Sequence, residues 1–219
     1  MNDRITEILR TLTKSHWQQT LFIGTLWSLS LLGGCTPIAP VTHLGPHSQE
    51  TEMLRLEVEL LSHDSATHVL EDWCRAHRIS EPPSLLAEPL DEGLEPPPKE
   101  VIAWLEASPQ TLIFHRRVAL RCGSSVLSMA DNWYRPDALT PLMLQTLKTT
   151  RTPFGKVVKP LGFHRQLLHL KPLWILDQNP SSQKELPPDL LFEITGMLRN
   201  REGRPFSVVI ERYTSNTLH

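Results

Sequence analysis

The segment IFHRRVALRCGSSVLSMADNWY, residues 113–134, carries the clearest structural signal in the chain. Its first nine residues alternate between two faces in the manner of a β-strand. One face carries Phe114, Arg116, Val118 and Leu120. Residues 122–125 predict a turn, and residues 126–134 predict a strand that returns beside the first. The segment therefore predicts an antiparallel hairpin with an arginine on its apolar face.

A second hairpin is predicted near the end of the sequence. Residues 200–205, NREGRP, form a polar, turn-forming connection between two apolar stretches. We expect those stretches, residues 194–199 and 206–213, to form paired strands. Shorter apolar runs predict further strands over 157–158, 163–170 and 173–176.

Two helix starts can be recognised from their capping residues. Asp64 or Ser65 precedes apolar residues at helical spacing, and Thr140 precedes Pro141, a favoured first residue of a helix. Apolar residues recur along 53–61 and suggest an apolar-faced segment, but their period is ambiguous. Hairpins with separate helices and no βαβ alternation indicate the α+β class, an antiparallel β-sheet with flanking helices.

Six prolines lie between Ser80 and Lys99. Because proline fixes φ and lacks a backbone N–H, we expect no regular structure in this stretch. The sequence predicts a long extended connection that either wraps around the domain or covers a site.

Composition excludes several functions. The 219 residues are 40% hydrophobic, and 22 basic against 24 acidic side chains give a net charge of −2. We expect no nucleic-acid partner, because neither the net charge nor any local basic run would attract a polyanion. No His/Cys spacing indicates a metal site, and no cofactor is expected.

The first 35 residues have the pattern of an export signal. Residues 21–33, LFIGTLWSLSLLG, form an uncharged apolar run shorter than a membrane-spanning helix needs. At the end of this run, Leu32-Gly33-Gly34-Cys35 resembles the lipobox of bacterial lipoproteins, in which the cysteine is diacylated. We therefore expect a signal peptide over 1–35, a tether over 36–50 and a domain over 51–219.

This interpretation places the protein in the bacterial cell envelope, with a lipid anchor at Cys35 holding it to the membrane on the periplasmic side. Two alternatives remain open: ordinary secretion as a soluble protein, or a buried N-terminal helix with an incidental Cys35. Cys74 and Cys122 are the other cysteines, and outside the cytoplasm they could pair as a disulfide.

Four stretches together resemble the chorismate lyase superfamily. They are Asp64–Thr67, Arg116–Leu120, the turn Thr152–Gly155, and Gly203-Arg204-Pro205 with Glu211. The superfamily includes the enzyme that converts chorismate to 4-hydroxybenzoate and pyruvate, and the ligand-sensing domain of GntR-type regulators. The segments LLSHDSAT, LRCGSSVLSMADNWYRP and TRTPFGKVV more closely resemble an uncharacterised, exported bacterial branch of it.

The resemblance implies a set of site residues. Arg116 would clamp a substrate carboxylate, and Glu211 would face the ring hydroxyl, so these two are the candidate catalytic residues. Backbone amides at Phe154 and Gly155 would complete the ligand-binding pocket. Arg165 aligns with an arginine of the enzyme and is the preferred candidate over the adjacent His164.

Three points are left open by the residues themselves. Glu211 lies one residue further from the hairpin glycine than in the enzyme, so it faces the pocket only if a β-bulge intervenes. Arg116 and Glu211 could also form a structural ion pair without any ligand. The cluster Asp131-Asn132-Trp133 either lines a site or forms a bend with a core tryptophan.

Three functions are consistent with these features. The first is a lipid-anchored protein that binds a small carboxylated, aromatic molecule. The second is an active chorismate pyruvate-lyase, a carbon–oxygen lyase without metal or organic cofactor. The third is a structural envelope protein with no ligand.

Overall fold

The computed structural model describes residues 49–90, 96–174 and 189–218. The predicted signal peptide, Cys35 and nearly all of the predicted tether lie outside these ranges. No helix within the described ranges is long and apolar enough to cross a membrane.

The described residues form five α-helices and six β-strands. The helices are α1 (Gln49–Ser62), α2 (Ala66–Ala76), α3 (Lys99–Trp104), α4 (Pro141–Thr149) and α5 (Phe154–Val158). The strands are β1 (Leu85–Pro89), β2 (Phe114–Cys122), β3 (Ser125–Tyr134), β4 (His164–Pro172), β5 (Leu190–Arg199) and β6 (Pro205–Thr214).

The strands form one antiparallel sheet in the order β1-β2-β3-β6-β5-β4. Both predicted hairpins, β2–β3 and β5–β6, are present as neighbouring pairs. The predicted α+β class, an antiparallel sheet with flanking helices, is confirmed.

Side-chain caps set the starts of two helices. The Ser65 hydroxyl accepts a hydrogen bond from the backbone N–H of His68 at 3.3 Å, so Ser65 rather than Asp64 is the N-cap of α2. Thr140 caps α4 in the same way by accepting from the N–H of Met143 at 3.2 Å. These contacts replace hydrogen bonds that the first turn of a helix otherwise lacks.

Three local expectations are corrected by the structure. The proline-rich stretch contains strand β1, in which Ala87 lies opposite Leu120 of β2. Proline is tolerated there because β1 is an edge strand and Pro89 is its last residue.

The residues 157–158 belong to α5 rather than to a strand. Leu173 and Trp174 continue beyond β4 without strand structure, and residues 175–176 lie outside the described ranges.

The main core lies between the sheet and the pair α1–α2. It includes Leu56, Leu60, Leu70, Trp73, Leu127, Ile194 and Tyr213. A disulfide joins Cys74 of α2 to Cys122 of β2, with a Cα–Cα distance of 6.2 Å and both residues fully buried. The disulfide thus links α2 to the strand that carries Arg116.

Candidate functional site

A small cavity of about 50 Å³ lies between the sheet and the starts of α2 and α5, and we call it the arginine cavity. Its lining includes all five candidate ligand-binding residues, namely Arg116, Phe154, Gly155, Arg165 and Glu211. The fold therefore brings together side chains from β2, β4 and β6 and the first residues of α5.

Strand register explains why these side chains share one face. Arg116 lies opposite Asn132 of β3, and Ala130 of β3 lies opposite Glu211 of β6. The β5–β6 pairing shifts register between Leu198 and Arg199, so β6 contains one extra residue near its start. The β-bulge that turns Glu211 toward the pocket is therefore present, and Glu211 lines the cavity.

Glu211 is engaged by two donors deep in the protein. Nη2 of Arg165 donates to Oε2 of Glu211, and the Tyr213 hydroxyl donates to the same oxygen at 3.1 Å. The side chains of Arg165 and Glu211 are only 6% and 7% exposed. The ion pair considered above for Arg116 is thus made by Arg165 instead.

The electrostatics of this group follow from burial and charge. Burial lowers the pKa of Arg165, but the charge of Glu211 and the contact with the Tyr213 hydroxyl group outweigh this effect, and the net pKa is raised. Burial, followed by the negative charge of Glu211, raises the pKa of Tyr213 well above its usual value. Tyr213 therefore remains a neutral hydroxyl donor.

A glycine in β5 leaves space for the side chain of Arg165. A Cβ at Gly196 of β5 would collide with Nε of Arg165, so a larger residue would displace the guanidinium. The backbone N–H of Arg165 donates to Oδ1 of Asp64, an exposed residue just before α2, at 2.8 Å. Glycine in a strand interior is a signal of close approach, and here the approaching group is Arg165.

Arg116 has a different environment. Within the described parts of the chain its side chain makes no hydrogen bond or ion pair, and its Nη2 is buried without a partner. Six arginines lie in the strands, and each of the other five faces a carboxylate within 4 Å. Burial lowers the pKa of Arg116, an effect that nearby Tyr134 partly offsets.

The cavity therefore combines two cations with one buried anion. Nη1 of Arg165 is also buried without a hydrogen-bond acceptor among the described residues. Glu211 is already bound to Arg165, and the remaining lining carboxylate, Asp64, is exposed to solvent. The arrangement is suited to an anion that accepts hydrogen bonds from guanidinium groups.

The starts of α2 and α5 close one side of the cavity. A Cβ at Gly155 would lie 2.8 Å from the hydroxyl oxygen of Thr67 and 3.3 Å from that of Ser65. A side chain at position 155 would force these hydroxyl groups to move, so glycine favours the close approach of the two helix starts. Phe154 and Gly155 are thereby placed on the cavity wall, as the resemblance implies.

Arg116 also borders a larger hollow that the sequence did not indicate. This α4 groove has a volume of about 490 Å³ and lies between β2, β3 and α4. Its lining includes Phe114, Tyr134, Leu144, Leu147 and Lys148.

Strand alternation places the side chain of Asn132 on one face of the sheet and those of Asp131 and Trp133 on the other. Asn132 lines the arginine cavity and accepts a hydrogen bond from the Ser207 hydroxyl at 2.6 Å. Asp131 contacts Nε2 of His115 at 3.0 Å, and Trp133 is 5% exposed and stacks on His115. The expected bend is wrong, because β3 runs through all three residues, whereas the core position of Trp133 is observed.

Other sequence candidates do not reach the site. His164 is exposed at the first position of β4 and does not line the cavity. Among the described residues, no group of three or more His, Cys, Asp or Glu side chains is arranged to hold a metal ion.

Fold and site together define an α+β domain whose six-stranded antiparallel sheet carries an arginine-lined cavity. The chain belongs to the same family as uncharacterized protein y4mC from Sinorhizobium fredii. The two are 38% identical in an alignment of 174 residues that covers 74% of this chain and 73% of that protein. No family model matches the chain.

Solved structures with a similar arrangement include domains of transcriptional regulators. One is the ligand-binding domain of a protein described as a GntR-family regulator from Bordetella bronchiseptica, with 16% identity and a TM-score of 0.41. That match covers 59% of this chain and 82% of the domain. Another is PhnF from Mycobacterium smegmatis, with 8% identity, a TM-score of 0.46, and coverage of 71% and 65% respectively.

Proposed function

We propose that the protein binds a small carboxylated, aromatic molecule through Arg116. The observation that carries the proposal is the buried Nη2 of Arg116, which has no acceptor among the described residues. A carboxylate accepts two parallel hydrogen bonds from a guanidinium and would supply the missing acceptor. The neighbouring Val118, Leu120 and Phe154 add an apolar environment that strengthens such bonds.

A purely structural role for Arg116 is disfavoured by comparison with Arg165. Arg165 lies in the same cavity and has the buried Glu211 as its counter-charge. Arg116 has none, although an unpaired buried donor costs about 1–3 kcal/mol. Without a ligand, the unpaired guanidinium only destabilises the folded protein.

The state of Glu211 favours binding over catalysis. Its Oε2 accepts hydrogen bonds from both Arg165 and Tyr213, and the carboxylate is nearly inaccessible. A catalytic carboxylate needs to reach the reacting atoms of its substrate. The binding protein is therefore the proposed function, and chorismate lyase activity becomes an outcome to be tested.

The proposal also includes the location. The lipobox-like sequence supports a mature protein that begins at Cys35, is anchored by lipid, and faces the periplasm. The buried Cys74–Cys122 disulfide supports an oxidising compartment, in which such bonds persist. The ligand would then be captured outside the cytoplasm.

Thermal unfolding with a ligand panel tests the binding. The panel contains benzoate, 4-hydroxybenzoate, chorismate and the corresponding neutral amides of the first two. Ligand at a hundred times its Kd stabilises the folded state by about 2.7 kcal/mol. We expect carboxylates to raise the Tm of the wild type and of Arg204→Met, a control at an exposed hairpin arginine, but not of Arg116→Met.

Two results would overturn the proposal. Equal shifts for wild type and Arg116→Met would remove Arg116 from the site, and no shift with any carboxylate would reject binding of this class. In parallel, chorismate is incubated with each protein and 4-hydroxybenzoate is measured. Product formed by the wild type and not by Arg116→Met would establish a lyase in place of a binding protein.

A further inference from the structure

Arg116 lies on the boundary between two hollows of very different size. It lines both the arginine cavity, of about 50 Å³, and the α4 groove, of about 490 Å³. Sites for small molecules usually measure about 300–1,000 Å³. The groove is within that range, whereas the cavity has room for only a few atoms.

Aromatic side chains from the two hollows contact each other near Arg116. Tyr134 lines the groove, Phe154 lines the cavity, and their ring centroids are 5.3 Å apart. Phe114 meets Tyr134 edge to face on the groove side at 5.9 Å. A row of three aromatic rings therefore leads from the groove toward the cavity beside Arg116.

The groove has the chemistry of a site for an aromatic anion. Its walls include the rings of Phe114 and Tyr134 and the side chains of Leu144 and Leu147, and Phe114 is 41% exposed. The described lining contains basic side chains, among them Arg116 and Lys148, and no Asp or Glu. Such a surface favours a flat apolar molecule with negative charge.

We infer that the α4 groove, and not the arginine cavity, holds the body of the ligand. The ligand is an aromatic carboxylate whose rings lie against Phe114 and Tyr134 while its carboxylate bonds to Arg116. Lys148 on α4 adds a second positive charge along the groove. This inference rests on the proposed function, because it assumes that Arg116 binds a carboxylate.

A matched pair of variants separates the two hollows. Ala130→Leu places a larger side chain in the cavity, which Ala130 lines, and Leu144→Trp places a larger side chain in the groove, which Leu144 lines, so each variant fills part of one hollow. The probes are benzoate and the longer biphenyl-4-carboxylate, with Kd measured by isothermal titration calorimetry. We expect Leu144→Trp to weaken binding at least tenfold and Ala130→Leu to change it less than threefold.

The wild type provides a second measurement that does not depend on the folding of either variant. A groove site accommodates the longer probe, so biphenyl-4-carboxylate should bind more tightly than benzoate. The inference fails, with the proposed function intact, if benzoate binds through Arg116 while the longer probe does not, or if Ala130→Leu abolishes binding and Leu144→Trp preserves it. Absence of binding by both probes would overturn the inference and the proposed function together.

Discussion

Replacement of Arg116 by methionine should make the unliganded protein more stable. The substitution keeps most of the apolar stem and removes a guanidinium whose Nη2 is buried without an acceptor among the described residues. An unsatisfied buried donor costs about 1–3 kcal/mol, and Arg116 is half-buried, so we expect a gain of about 1–2 kcal/mol. For a chain of this size the Tm should rise by about 2–8 °C.

Replacement of Arg165 by methionine should instead lower the free energy of unfolding. Arg165→Met leaves Glu211 buried without its counter-charge, and breaking a buried pair in this way costs about 3–5 kcal/mol. Chemical denaturation of wild type and both variants, with equal m-values, measures the two changes. A loss of stability in Arg116→Met comparable to that in Arg165→Met would show that both arginines are structural, and the reasoning about Arg116 would be refuted.

Three further predictions concern other parts of the structure. Replacing both Cys74 and Cys122 with serine should lower the free energy of unfolding by about 4 kcal/mol, the chain-entropy estimate for a separation of 48 residues, and urea denaturation without reductant measures it. Gly196→Ala should cost about 1–3 kcal/mol in the same assay because its Cβ collides with Arg165, and an unchanged midpoint would contradict the close packing described there. In cells given labelled palmitate, the wild type but not Cys35→Ser should incorporate label, and equal labelling of both would reject lipidation at that residue.

Much of the sheet could be predicted because its strands and turns are determined by residues close together in the sequence. Alternation along residues 113–121 is sufficient to place Arg116 with Val118 and Leu120, and all three line the arginine cavity. The helix starts at Ser65 and Thr140 were equally accessible, since a capping side chain acts within three residues of its own position.

The remaining features depend on partners distant in sequence. Strand β1 forms in a proline-rich stretch because β2 supplies its hydrogen bonds, which no local pattern shows. The Arg165–Glu211 pair joins β4 to β6 across the intervening β5, so pattern alone could not choose between Arg116 and Arg165 as the partner of Glu211. Gly196, a glycine within an apolar strand, was the available signal for that pair.

The α4 groove could not be predicted for the same reason. Its walls come from the packing of α4 beside β2 and β3, and the contributing residues Phe114, Leu144 and Lys148 have no common motif. The sequence therefore identified Arg116, to which we assign ligand binding, but it did not reveal the α4 groove beside this residue.

The most direct test of the account compares a carboxylate with its neutral isostere. Calorimetry measures the affinity of 4-hydroxybenzoate and of 4-hydroxybenzamide for the wild type and for Arg116→Met. Hydrogen bonds to a charged group contribute about 1.5–3 kcal/mol, so the wild type should prefer the carboxylate by about 10- to 150-fold, and the variant should show no preference. An equal preference in both proteins, or none in the wild type, would contradict the assignment of Arg116 as the carboxylate-binding residue.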